Sequence, residues 1–207
     1  MKSVQYELAY PEKLSRGVLL LRTFFGWLYV GIPHYFCLFF VGIIAGICSF
    51  LAFWAVLFTG KYPASLFNFV KGSIDWQMRV GAYFNFLTDE YPAFGLEADY
   101  PAKLTVAYPE KLSRGQLLLR CFFGFLYVGI PHGFCLFFRM IAHAVVQAIA
   151  WWVVLFTGKM PQSMFSFMTG TYRWAAGLTA YLYFMTDEYP PFTGKAETAT
   201  TGTGIPA

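Results

Sequence analysis

Charge is what this sequence has least of. Asp, Glu, Lys and Arg make up 13% of its 207 residues, about half the roughly 25% of an average soluble domain. Hydrophobic residues reach 57% and aromatic residues 21%. So little charge cannot cover a water-soluble domain of this size, and the composition predicts a membrane protein. The scarcity is concentrated. Across residues 17–59 the only acidic or basic side chains are Arg22 and His34, and across 115–157 they are Arg120, His132, Arg139 and His143. Each run is about twice the roughly 20 apolar residues that cross a bilayer once, so each is expected to cross twice, as a hairpin.

Other absences narrow the chemistry. The four cysteines form no C-x-x-C pair, and Cys48 and Cys121 sit inside apolar stretches, which predicts free buried thiols and excludes a dense disulfide framework. No G-x-S-x-G, Walker loop or H-E-x-x-H occurs, so the chain is read as a non-enzyme with no cofactor. The net charge of +4 is accounted for by membrane topology, and no nucleic-acid face is expected. The first residues lack a short apolar run followed by a small-residue cleavage site, so no cleaved signal peptide is expected there.

What the sequence has in abundance is itself, twice. Sliding the chain by 98 positions aligns residues 9–94 with 107–192 without a gap, and 52 of the 86 pairs are identical. This is a tandem duplication. Differences cluster at 41–51 against 139–149 and at 70–81 against 168–179. The domains are accordingly read as 1–98 and 99–193, followed by a small polar tail at 194–207 expected to be disordered.

Each copy carries the same succession of patterns. "VQYELAY" and "AKLTVAY" alternate as strands do, and the two could pair. A helix is expected over 14–31 and 112–129, broken at "GIPH", with a second helix to 58 and 156 whose first turn holds Pro33 or Pro131. After "LFTGK" an amphipathic helix is expected over 63–87 and 161–185. In the first copy Lys71, Asp75 and Arg79 fall at i, i+4 and i+8 on one face, which suits a helix lying in the membrane interface.

The expected fold class is therefore an all-α integral membrane protein of two parallel repeats, each a transmembrane hairpin plus an interfacial helix, with short β-strands before each hairpin. Twelve of the 15 Lys and Arg lie outside the hairpins and none lies in the hairpin turns. The positive-inside rule then places the termini and both "FTGK" loops in the cytoplasm. "YPEKLSRG" reads as an interfacial collar written once per hairpin.

The segments "YPEKLSRGVLLLR", "LFTGKYPASLFNF" and "GSIDWQMRVGAYFNFLTDEYPAF", with their second copies, resemble a widespread family of small prokaryotic membrane proteins catalogued as a domain of unknown function. The resemblance covers about 9–94 and 107–192. It implies a multi-pass protein of the prokaryotic cytoplasmic membrane and brings no activity, cofactor or catalytic residue.

Several side chains stand out. His34 with Cys37 and His132 with Cys135 repeat H-x-x-C; if the hairpins met, two His and two Cys would offer a soft-metal site, whereas the plain reading is a capping His and an apolar Cys. Arg139, His143 and Gln147 form a polar stripe in the second copy, where the first has Val41, Ala45 and Ser49. Ionisable groups at that depth are costly, and the stripe is expected to meet a partner or cofactor. Arg22 and Arg120 are expected to snorkel to lipid headgroups or pair with the acids of "TDEYP", and Arg16, Lys61, Arg114 and Lys159 to sit among headgroups.

These readings favour a non-catalytic membrane subunit, a scaffold or adaptor whose partners are the bilayer and other membrane-protein subunits. The alternatives are a small transporter or channel, which duplication favours, and a metal or cofactor protein using His143 or the H-x-x-C pairs.

Overall fold

The structure, a computed structural model, describes residues 3–195; the expected disordered tail lies outside that range from residue 196 onward. Strand β1 (Val4–Leu8) is followed by helix α1 (Arg16–Thr59) and helix α2 (Ala64–Phe84). The second copy repeats the order as β2 (Ala102–Val106), α3 (Arg114–Thr157) and α4 (Gln162–Leu182). The strands pair antiparallel, with Tyr6 opposite Leu104. Val4, Tyr6 and Leu8 face inward while Gln5 and Glu7 face out, as the alternation predicts.

The expected hairpins are absent. Each long segment is one helix of 44 residues, so the described residues hold two helices long and apolar enough to cross a membrane where four crossings were expected. At "GIPH" the backbone stays right-handed, with Gly31 at φ −57° and ψ −59°, and residues Trp27–Gly31 form a π-helical turn. The cause is local. Proline has no N–H to give and its ring collides with the carbonyl four residues back, which for Pro33 is Tyr29. A widened π turn relieves that clash without ending the helix, and Phe125–Gly129 does the same ahead of Pro131.

The π turn also keeps one face inward. Arg22, Gly26, Val30, His34 and Leu38 are all buried, four successive steps of four residues. In a straight α-helix those steps would rotate the buried line by about 160°. The wider turn absorbs the drift, so the same side of α1 continues inward through Ala45, Ala52 and Val56. The opposite half is exposed and apolar from Leu20 to Phe58.

The two long helices run antiparallel. Leu14 N–H donates to the Gly158 carbonyl and Leu112 N–H to the Gly60 carbonyl, both at 2.8 Å. The start of each helix therefore sits at the end of the other. Gly60 and Gly158 close their helices in the left-handed conformation, at φ 74° and 70°, which glycine adopts without steric cost. Helices α2 and α4 lie between the long helices and the sheet. They meet where Tyr172 rests on Gly81, and a Cβ there would come within 2.6 Å of the Tyr172 hydroxyl.

The repeats interlock. The Asp75 carboxylate on α2 accepts from Leu104 N–H in β2 at 2.7 Å, and Arg173 on α4 donates to the Tyr6 carbonyl in β1 at 3.0 Å. Each amphipathic helix thus supports the strand of the other copy. This corrects the expected interfacial stripe on the first of them: Arg79 is fully buried and pairs with Asp75 at 3.4 Å. Asp75 turns toward the sheet because β2 brings the unpaired edge amide of Leu104, and Arg79 turns to the Ala93 and Gly95 carbonyls.

Candidate functional site: the inter-repeat seam and the exposed apolar face

The "TDEYP" segment grips α1 at three levels. Asp89 accepts from Ser15 N–H at 2.5 Å and faces Arg22 at 3.5 Å. Arg22 donates to the Tyr83 and Thr88 carbonyls, both at 2.7 Å. Tyr91 donates its hydroxyl to the Tyr29 carbonyl at 3.1 Å, the group that Pro33 leaves without its helical partner. Positions 15, 22 and 29 are seven residues apart and so lie on one face. The second copy repeats all three grips, with Asp187 on Ser113 and Arg120, Arg120 on the Tyr181 and Thr186 carbonyls, and Tyr189 on the Tyr127 carbonyl.

Arg22 and Arg120 are buried, 2% and 5% exposed. The headgroup role expected of them is corrected: they pair with the acids of "TDEYP", the other reading of the same residues. Each guanidinium also lies over a tyrosine ring, Tyr83 at 4.7 Å and Tyr181 at 4.2 Å. A charge so placed is held by carbonyls and a carboxylate because burial without them would be prohibitive.

The collar is a clasp. Arg16 donates to the Phe156 carbonyl at 2.8 Å and Arg114 to the Phe58 carbonyl at 2.7 Å, each reaching the last turn of the opposite helix, where a cation meets the negative end of the dipole. Tyr10 donates to the Met160 carbonyl, and Tyr108 to the Tyr62 carbonyl. "YPEKLSRG" is written twice because each copy must hold the other's "FTGK" turn. Arg16, Arg114, Lys61 and Lys159 all remain exposed at the two ends of the helix pair.

His34 and His132 do not converge with Cys37 and Cys135 on a metal: no group of three or more His, Cys, Asp or Glu with metal-site geometry occurs among the described residues. The Trp76 indole N–H donates to His34 Nδ1 at 2.9 Å and Trp174 does the same to His132. Nδ1 as acceptor leaves the proton on Nε2, and each ring stacks on a phenylalanine, Phe94 at 3.9 Å and Phe192 at 4.0 Å. These are buried packing histidines. All four cysteines are free, as expected, although Cys121 is exposed.

The stripe expected to meet a partner points inward. His143 Nε2 lies 2.8 Å from Asn85 Oδ1, and Asn85 Nδ2 donates in turn to the Tyr172 hydroxyl at 2.7 Å. Gln147 donates to the Phe84 carbonyl at 3.3 Å. Arg139 donates to Thr171 at 3.0 Å and to the Phe167 carbonyl at 3.1 Å. His143 and Gln147 thus serve the C-terminal end of α2, which the second copy's α3 receives, while Arg139 holds α4 of its own copy. Sequence reading missed Asn85 and the "TDEYP" tyrosines. Asn85 stands opposite Tyr183 in the duplication, and that mismatch beside the mismatch at His143 was the available signal.

Outside the long helices, burial governs the Asp75–Arg79 pair of α2. It pushes the Asp75 carboxyl up, against the Leu104 N–H and the Arg79 charge that pull it down, and it lowers Arg79 against the pull of Asp75. In both partners desolvation outweighs attraction, which is the usual balance for a buried pair.

What the interior leaves for contact is the outer half of the long helices. Phe24, Phe36, Phe39, Phe50 and Phe58 are between 61% and 71% exposed, and Phe122, Phe125, Phe134, Phe137 and Phe156 between 61% and 77%. Such a surface far exceeds the few hundred Å² of exposed apolar patch that a soluble monomer tolerates. Two long apolar helices braced by an interlocked duplicate define a tandem-repeat protein with a membrane-type surface. The chain belongs to the family described as domain of unknown function DUF4389, whose profile matches residues 19–95 and 116–194. No curated protein and no solved structure matches the chain.

Proposed function

We propose that the chain is a non-catalytic membrane scaffold that lies in the plane of the bilayer surface, its partners being lipid and neighbouring membrane-protein subunits. The observation that carries this is the continuous exposed apolar half of each 44-residue helix. A helix of that length measures about 66 Å, against roughly 30 Å of hydrocarbon. Lys13 precedes it, Arg16 opens it and Lys61 follows it, all exposed, so both ends ask for headgroups. Laid flat, the apolar side enters one leaflet and both cationic ends stay at the surface. Set upright, about half of the apolar side would stand in water beyond the hydrocarbon.

The polar interior supports a structural role. Arg22, Arg120, His143 and Gln147 hold helix ends or join repeats, and Arg139 ties α3 to α4. Chemical cross-linking in native membranes, followed by purification in mild detergent, tests the scaffold claim. A membrane-protein neighbour linked through the exposed face of α1 or α3 is the expected result. A chain that cross-links only to itself in its native membrane contradicts it.

A further inference from the structure

At one place the second copy is far more open than the first, where the region around Asp75 and Glu97 holds a pocket of only about 120 Å³. Between the outer edge of β1 and α4 runs an open groove of about 640 Å³, lined by Tyr6, Glu7, Lys103, Arg173, Trp174 and Lys195 together with Gly177, Pro191 and Thr193. Three of its positions have changed in concert. Arg173 stands where the first copy has Asp75, Gly177 where it has Arg79, and Lys195 where it has Glu97.

In the first copy the Arg79 guanidinium fills the space, donating to the Ala93 carbonyl at 2.9 Å and the Gly95 carbonyl at 2.6 Å. The counterparts of those two residues are Pro191 and Thr193, which line the groove. Removing the arginine side chain at 177 opens it, and the two acid-to-base changes alter the local charge. Asp75, Arg79 and Glu97 sum to −1, whereas Arg173, Gly177 and Lys195 sum to +2. Lys103 adds a further cation and Glu7 the only carboxylate among the lining residues.

We propose that this groove is a binding site for a small phosphate-bearing anion, gripped by Arg173 and flanked by Lys103 and Lys195. Arg173 is half-buried and its Nε is tied to the Tyr6 carbonyl at 3.0 Å. The tie leaves the two terminal nitrogens of a planar fork directed by a fixed anchor, the arrangement in which arginine recognises phosphate. Trp174 and Tyr6 furnish an apolar wall beside it. The phosphate could belong to a soluble phosphate ester or to an anionic lipid headgroup. The proposal is independent of the scaffold reading, because it rests on the sheet side of the molecule and not on the apolar helices.

The test is calorimetric titration of the full chain in neutral detergent with inorganic phosphate, and in parallel its binding to phosphatidylcholine vesicles with and without phosphatidic acid. Saturable phosphate binding that falls at least tenfold in Gly177→Arg, which restores the side chain of the first copy, is the expected result. Lys195→Glu, at an exposed position, should weaken binding severalfold and keeps the test alive if Gly177→Arg fails to fold. Binding to phosphatidic acid vesicles alone, lost in the same variants, identifies a lipid headgroup as the source. No saturable binding to either probe, or binding that survives both substitutions, overturns the proposal.

Discussion

The Tyr91 hydroxyl donates to the Tyr29 carbonyl at 3.1 Å, across 62 positions of sequence, and this bond takes up the carbonyl that a proline leaves unbonded inside a 44-residue helix. Pro33 cannot offer an N–H to that carbonyl; Tyr91 can. Tyr91→Phe should therefore cost about 0.5–1.5 kcal/mol, the net contribution of an ordinary hydrogen bond at a part-exposed site, and Tyr189→Phe the same in the second copy. Chemical unfolding of the detergent-solubilised chain measures it. A change within a few tenths of a kcal/mol in both variants would mean the carbonyl is satisfied some other way.

Asp89→Asn should be more damaging than its surface position suggests. The Asp89 side chain is 26% exposed but its partner Arg22 is 1% exposed, and removing the carboxylate leaves a buried guanidinium short of its counter-charge. Breaking such a pair costs about 3–5 kcal/mol. Asp187→Asn should match it through Arg120. If Asp89→Asn unfolds at the same denaturant concentration as wild type, the carbonyls of Tyr83 and Thr88 alone are enough.

His143→Ala should loosen the joint between repeats and leave external contacts alone. Its Nε2 meets Asn85 Oδ1 at 2.8 Å, so a double-mutant cycle with Asn85→Ala should give a coupling of about 0.5–3 kcal/mol. Additive effects would place the interaction elsewhere.

Alkaline pH should weaken the fold in a defined window. Burial pushes the Tyr62 hydroxyl from 10.0 up to about 12. The folded state holds this proton more tightly than the unfolded chain does, so its contribution is complete below about pH 10 and is lost as pH rises toward 12. Unfolding free energy measured from pH 9 to 12 should decline, and less steeply in Tyr62→Phe. A parallel decline in the two proteins would show that Tyr62 ionises as readily folded as unfolded.

Much of this was legible in the residues. The duplication, the strand pair and the amphipathic helices follow from a 98-residue offset, an alternation and an "FTGK" punctuation, all local in the chain. The long helices were read as hairpins because a Gly and a Pro together normally stop a helix. Here a widened turn ahead of the proline carries the helix on, and the carbonyl it leaves unbonded is taken up by Tyr91, far downstream. The same distance hid the inward turn of Asp75, whose partner Leu104 belongs to the next repeat, and the role of His143, whose partner Asn85 belongs to the previous one. Local pattern shows what a segment is; the long-range acceptor decides which way it faces.

The central claim is that the long helices lie flat in one leaflet, and depth measured along α1 tests it most directly. Spin labels at Phe25, Phe36, Ile47 and Phe58, all on the exposed side, would be introduced singly after the four free cysteines are replaced, and the chain reconstituted in vesicles. Collision with oxygen and with a water-soluble nickel complex then reports the depth of each label. The flat arrangement predicts the same depth, within a few Å, at all four positions, although about 50 Å of helix separates the first from the last. Depth that rises to the bilayer centre and falls again along that series would show a spanning helix and contradict the account.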